Sequence, residues 1–227
     1  MASRPDGLII AIDGVIGAGK SSTARGVAAA LTYRHLDTGA MYRGFALAAM
    51  RRGIEAGDAK GVEQLLDQLD LAIDIRDGEQ RVLLNGEDAS DEIRRPEVTR
   101  QVGAFADVSL VRLALIERQR SLGSRGGVVA DGRDAGSVVF PNADLKVWMT
   151  ADLDERARRR YRELTEKGVI TSLEQVAADI RRRDREDEDR DYGARHDPAE
   201  TLELDTTDLT ESQQVDSIVS WARQRGA

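Results

Sequence analysis

Leu8-Ile9-Ile10-Ala11-Ile12-Asp13-Gly14-Val15-Ile16-Gly17-Ala18-Gly19-Lys20-Ser21 joins an apolar run to a glycine-rich turn that ends in Lys-Ser. The apolar run Leu8 to Ile12 predicts a short strand buried on both faces, as in a parallel sheet. Ala24, Val27, Ala28 and Leu31 then recur at helical spacing. Between strand and helix, Gly14 to Ser21 satisfies G-x-x-x-x-G-K-[ST] at every fixed position. Glycines let the backbone curl until successive N–H groups point inward, and the start of the following helix adds its partial positive charge. Such a cradle takes phosphate. Lys20 is placed to reach β- and γ-phosphates and the Ser21 hydroxyl to hold Mg²⁺.

The rest of the chain alternates strands and helices. A short strand is expected near His35-Leu36 and a helix over about 38–52. Val62, Leu65, Leu66 and Leu69 form one apolar helix stripe. The period then changes to two: Leu71, Ile73 and Ile75 alternate with polar residues. Asp77-Gly78 and Asn85-Gly86 offer turns on either side of Val82-Leu83-Leu84. This predicts a small antiparallel meander inserted into an otherwise parallel architecture, ending near Val102. A helix over about 108–122, strands at about 127–130 and 145–149, and two arginine-rich helices over about 154–167 and 172–191 follow. A last strand lies near Thr201 to Leu204, and a final helix buries Val215, Ile218, Val219 and Ala222. Ser172-x-x-Gln175 and Thr210-x-x-Gln213 read as capping boxes. The pattern predicts an α/β fold with a parallel sheet covered by helices.

The chain has 227 residues and a formal charge of −8, which argues against a general nucleic-acid binder. No apolar run is long enough for a membrane span or a secretory signal, so a cytoplasmic protein with no membrane partner is expected. Cysteine is absent and the only histidines are His35 and His196, which excludes disulfides, zinc-thiolate sites and cysteine nucleophiles. Any anion site must be built locally. Lysines number four (Lys20, Lys60, Lys146 and Lys167), so nearly all remaining cations are arginines. That excess fits arginine-biased composition as well as bidentate phosphate binding, and position must decide between them.

A phosphate loop names a nucleotide-binding superfamily and no reaction. Further segments narrow it. Leu36-Asp37-Thr38-Gly39-Ala40-Met41-Tyr42-Arg43, Asn85-Gly86-Glu87-Asp88, the run Ala130-Asp131-Gly132-Arg133-Asp134-Ala135-Gly136-Ser137-Val138-Val139-Phe140-Pro141, and Arg183-Asp184 through Arg190 stand in this order. With the P-loop they make the chain resemble the bacterial cytidylate kinases over almost its full length. The resemblance implies a P-loop nucleotide kinase fold with a five-stranded parallel sheet. The core is expected at about 5–60, 106–152 and 198–227, a small α+β monophosphate-binding insertion at about 62–104, and a helical lid at about 153–192.

It also implies roles for single residues. ATP is expected on Gly14, Val15, Ile16, Gly17, Ala18, Gly19, Lys20, Ser21 and Ser22, with Arg159 and Arg160 closing from the lid and Arg156 beside them. CMP or dCMP is expected on Thr38, Arg43, Gly103, Arg112, Arg133, Asp134, Arg183, Asp187 and Arg190. Lys20, Arg133 and Arg159 are the catalytic candidates, and Asp131, which ends an apolar strand run, is placed like a second Mg²⁺ residue beside Ser21. Asp187 would hold the ribose hydroxyls and Asp134 the cytosine amino group. On spacing alone, Arg183, Asp187 and Arg190 serve an exposed helix laced with Arg–Asp pairs equally well. Departures from the family pattern are Val15 for a proline, Ser109 for a proline and Gly103 for a serine that helps read the base. The expected enzyme is a monomer. Its rivals are a P-loop kinase for UMP or another small acceptor, and a non-catalytic nucleotide-binding domain.

Overall fold

A computed structural model describes residues 4–76, 79–166, 168–189, 197 and 199–227. In chain order the elements are β1 (Ile9–Gly14), α1 (Lys20–Leu31), β2 (Arg34–Asp37), α2 (Thr38–Arg51), α3 (Ala59–Gln68), β3 (Leu71–Arg76), β4 (Glu79–Leu84) and β5 (Glu87–Asp88). They continue with α4 (Pro96–Ala106), α5 (Ser109–Gly123), β6 (Val128–Asp131), β7 (Leu145–Thr150), α6 (Leu153–Glu166), α7 (Leu173–Asp189), β8 (Thr201–Asp205) and α8 (Glu211–Gln224). Five strands form one sheet in the order β2-β6-β1-β7-β8, and β3-β4-β5 form a second. The expected parallel architecture and the antiparallel meander are both present. None of the helices among the described residues is long and apolar enough to cross a membrane.

The chain divides into two compact units, Met1–Tyr33 with Gly126–Ala227, and Arg34–Arg125. In the first, β1 runs parallel to β6 and β7, and β7 parallel to β8. All six β1 residues are buried, as a central strand covered on both faces requires. Ile10, Ile12, Val129, Val147 and Met149 pack with Ala24 and Val27 of α1 and Ile218 and Ala222 of α8. The register sets Ile12 opposite Asp131 and Gly14 opposite Met149, so the carboxyl ends of β1, β6 and β7 lie side by side. That edge is where α/β sheets bind ligands. Both capping boxes form: Gln175 N–H donates to Ser172 Oγ at 3.2 Å, and Gln213 N–H to Thr210 Oγ1 at 3.3 Å. The α6–α7 pair buries only a small cluster, Ala157, Val176 and Ile180, with Ile16, Leu153 and Leu164 against it.

The second unit is built on α2, whose ten buried residues include Phe45, packed edge-on against Phe105 of α4 at 5.6 Å. In the meander Leu71 pairs with Leu84 and Leu83 with Asp88. Asn85 and Gly86 both take positive φ, 50° and 83°, as a tight hairpin turn demands. The other expected turn, Asp77-Gly78, lies outside the described residues. The sequence pattern gives no element between Asn85-Gly86 and about 108, but Pro96 opens the 11-residue helix α4, with Val98 and Phe105 buried. Proline at a first helical position costs no hydrogen bond.

Candidate phosphoryl-transfer site

The loop after β1 is possible only with glycine at its first position. Gly14 has φ +141°, and a Cβ there would sit 2.0 Å from the Met149 carbonyl oxygen. The loop presses against β7, and Val15 N–H donates to that same oxygen at 3.1 Å. Gly19, at φ 94°, precedes α1 without any side-chain cap, and the first turn holds no acidic residue. The amides there are left for an anion. Lys20 is buried, and its Nζ donates to the Val15 carbonyl at 2.7 Å. Burial, and next the neighbouring Arg133, pull its pKa well below the ordinary lysine range. An ammonium so placed is stabilised by whatever negative charge arrives. Ser21 Oγ donates to Asp131 Oδ2 at 2.6 Å, which brings the two proposed metal-binding oxygens together.

Asp13 is a residue the sequence reading passed over. It lies 6 % exposed at the end of β1 and accepts from the amides of Ala135 at 2.8 Å and Gly136 at 2.7 Å. Those amides open a single wide turn, Ala135–Val139, in which Phe140 N–H reaches the Ala135 carbonyl at 2.7 Å. One carboxylate thus ties the strand before the phosphate loop to the turn that follows Arg133 and Asp134. Burial raises the Asp13 carboxyl to about 6, against the lowering effect of the two amide bonds. A charged residue closing a five-residue apolar run was the available signal.

Arg133 donates through Nε to Asp187 Oδ2 at 2.7 Å. Asp187 therefore pairs across elements, rather than merely along its own helix. Burial, then Arg133, lower the pKa of Arg183, and Arg160 adds to that effect. Lys20 feels Arg133, Asp131 and Asp187, so all five predicted residues form one electrostatic cluster. The three arginines expected over ATP all have protein partners in this structure. Arg156 is a buried tie, donating to the carbonyls of Ala151 at 2.9 Å and Ile16 at 3.2 Å and to Asp184 at 2.7 Å. Arg159 is held by Glu155 at 3.0 Å and by the Thr206 hydroxyl at 3.1 Å, with further bonds to the Thr206 and Thr207 carbonyls. Arg160 bonds Glu163 at 2.6 Å. Asp134 is buried beside the wide turn. Arg190 lies outside the described residues.

The remaining predicted residues belong to the second unit. Asp37 caps α2 by accepting from Ala40 N–H at 2.9 Å, and its other oxygen takes Arg43 at 2.5 Å. Thr38, the first residue of α2, is buried. Gly103 is in α4, where its carbonyl accepts from Asp107 N–H at 3.1 Å, and Arg112 is in the first turn of α5.

Comparison with known proteins places this arrangement. The family model described as cytidylate kinase matches residues 10–224. A cytidylate kinase of Citrifermentans bemidjiense is 43% identical over 225 residues, covering 99% of this chain and 96% of its own. A cytidylate kinase of Bacillus subtilis is 40% identical, covering 96% of this chain and 97% of its own. The crystal structure of an uncharacterized protein from Eubacterium ventriosum superposes with a TM-score of 0.52 at 14% identity, covering 96% of this chain and 98% of that one. At that identity it shows the shared fold alone.

Proposed function

Since the chain belongs to the cytidylate kinase family, we propose that it transfers the γ-phosphate of MgATP to CMP or dCMP, giving ADP and CDP or dCDP. The observation that carries the reading is the cluster in which Lys20, Ser21, Asp131, Arg133, Arg183 and Asp187 converge at the carboxyl ends of β1 and β6. An acceptor phosphate oxygen is already nucleophilic near neutral pH, so the protein supplies position and charge neutralisation.

Lys20 exchanges the Val15 carbonyl for the β- and γ-phosphates. Arg133 and Arg183, with Arg190, take the acceptor phosphate, and Asp187 the ribose hydroxyls. Thr38 and Arg43 bind the acceptor α-phosphate, while Asp134, Arg112 and the Gly103 position face the base. Arg159 and Arg160 serve ATP from a lid over about 153–192, and for Arg159 this means exchanging the Thr206 and Thr207 carbonyls for phosphate oxygens. The meander within about 62–104 is the acceptor-binding insertion and the remainder the core.

The Ser21–Asp131 pair fits Mg²⁺, a hard ion that takes one or two protein oxygens and completes its shell with water and phosphate. No cluster of three or more acidic, histidine or cysteine ligands occurs among the described residues, which suits that mode better than a protein cage. Ser21 and Asp131 would hold the ion, which would supply positive charge against the phosphates. The enzyme acts as a cytoplasmic monomer. A coupled ADP-release assay with CMP, dCMP, UMP, AMP and no acceptor tests the reading. It requires turnover to depend on a cytidine monophosphate, and it fails if ATP is consumed equally without acceptor or preferentially with another one.

A further inference from the structure

The start of α2 is held from two directions by side-chain amides that no role has yet absorbed. Asp37 N–H donates to Gln80 Oε1 at 2.8 Å, and Gln80 Nε2 donates back to the Asp37 carbonyl at 3.3 Å. A glutamine amide carries the same donor and acceptor as a peptide group, so Gln80 pairs with the Asp37 main chain much as a neighbouring strand would. Gln80 stands on β4, opposite Ile75 of β3, so the meander supplies this contact. One residue on, the Thr38 carbonyl accepts from Gln119 Nε2 at 3.3 Å.

Gln119, on α5, is 0 % exposed, and its Oε1 is buried without a partner. A buried amide left half satisfied weakens the resting fold, and an apolar side chain of similar size would fill the space without that cost. Packing is therefore not what Gln119 supplies; the contact with Thr38 is. The consequences run on to Arg43. Asp37 both caps α2 and holds the Arg43 guanidinium, so fixing the Asp37 main chain fixes the carboxylate that orients the arginine.

We infer that Gln80 and Gln119 are positioning residues for the acceptor end of α2, setting the geometry of Thr38 and Arg43; the inference rests on the acceptor role proposed for those two. It gives the meander a definite task, since its Gln80 acts on the acceptor loop through the Asp37 main chain.

The test uses the full chain with Gln80→Ala, Gln80→Glu and Gln119→Leu. Kinetics with CMP and ATP varied separately are combined with hydrogen exchange over residues 36–41. Gln80→Ala should speed exchange there and raise KM for CMP about two- to tenfold, the equivalent of one net hydrogen bond, with KM for ATP parental. Gln80→Glu keeps the acceptor for Asp37 N–H but sets a second oxygen against the Asp37 carbonyl, and should fall between parent and Gln80→Ala. Gln119→Leu should melt at or above the parental Tm and still raise KM for CMP. Unchanged exchange over 36–41 in Gln80→Ala overturns the clamp. Faster exchange with a parental KM for CMP, or equal rises in both KM values, leaves a structural contact only and overturns the positioning role. A lower Tm with parental KM removes Gln119 from it. A parent that does not phosphorylate CMP defeats the functional reading, while the exchange measurement still decides the clamp.

Discussion

Replacing Asp13 by asparagine removes one titrating group from the interior and leaves its shape. Burial holds the Asp13 carboxyl at about 6 in the folded chain, against an ordinary 3.8. Folding thus binds a proton between those values, and the sign follows: the contribution of Asp13 to stability is full below about pH 3.8 and is lost as pH rises through about 6. The whole shift, about two pH units, corresponds to about 3 kcal/mol. Between pH 5 and pH 7 the same two values give a loss of about 1 kcal/mol. Asparagine does not titrate, and groups not coupled to Asp13 cancel between the two proteins. Urea unfolding of parent and Asp13→Asn at pH 5, 6 and 7 therefore reports Asp13, with its coupling to Lys20 and Asp134, in the difference of their unfolding free energies. That difference should fall by about 1 kcal/mol from pH 5 to pH 7, whatever its absolute size. The absolute size also contains the amide bond lost when the asparagine NH₂ turns toward Ala135 or Gly136, and that part is constant with pH. A difference that stays flat or rises with pH would refute the reasoning, because the two amide donors would then offset or outweigh burial.

Three further outcomes concern catalysis. Lys20→Ala should cost two orders of magnitude or more in phosphoryl transfer while the protein still melts cooperatively; turnover within about threefold of the parent would take Lys20 out of catalysis. Asp187→Ala, which frees Arg133 from its 2.7 Å partner, should raise KM for CMP and lower kcat. Glu186→Ala, whose side chain bonds only the exposed Arg182 among the described residues, should stay near parental, and equal kinetics for the two variants would return α7 to charged surface. Gly103→Ser should improve the ratio of kcat/KM for CMP over UMP several-fold at most, since one added hydrogen bond is worth about 0.5–1.5 kcal/mol net. An unchanged or lower ratio would show that this position does not read the base.

What was legible in the sequence was what a period or a contiguous motif encodes. The apolar run before Gly14, the helical spacing after it and the alternation of Leu71, Ile73 and Ile75 each specify an element locally, and all three formed. The pairing of Ser21 with Asp131 was also within reach, because both residues close or follow buried strand runs and parallel strands align their carboxyl ends. Helix α4 was less so: Pro96 reads as a breaker unless it is known to stand at a first helical position.

The partners of the ties between distant segments left no local signal. Asp13 reaches Ala135 across 122 positions, Gln119 reaches Thr38 across 81, and Arg159 reaches Thr206 across 47. Each is a polar side chain bonding backbone or hydroxyl groups, a contact that depends on where the fold brings a loop and hardly on what residue that loop carries. A motif therefore names groups suited to meet the substrate, while the residues that aim those groups are scattered among positions with no pattern to betray them. For this chain the second set is the more informative about geometry. The resemblance implies that Arg159 meets ATP, and in this structure its guanidinium is held by Glu155 and the Thr206–Thr207 segment. The same chemistry that suits arginine to phosphate, a fork of donors seeking oxygens, suits it equally to carboxylates and carbonyls. Only the surrounding oxygens decide which it meets.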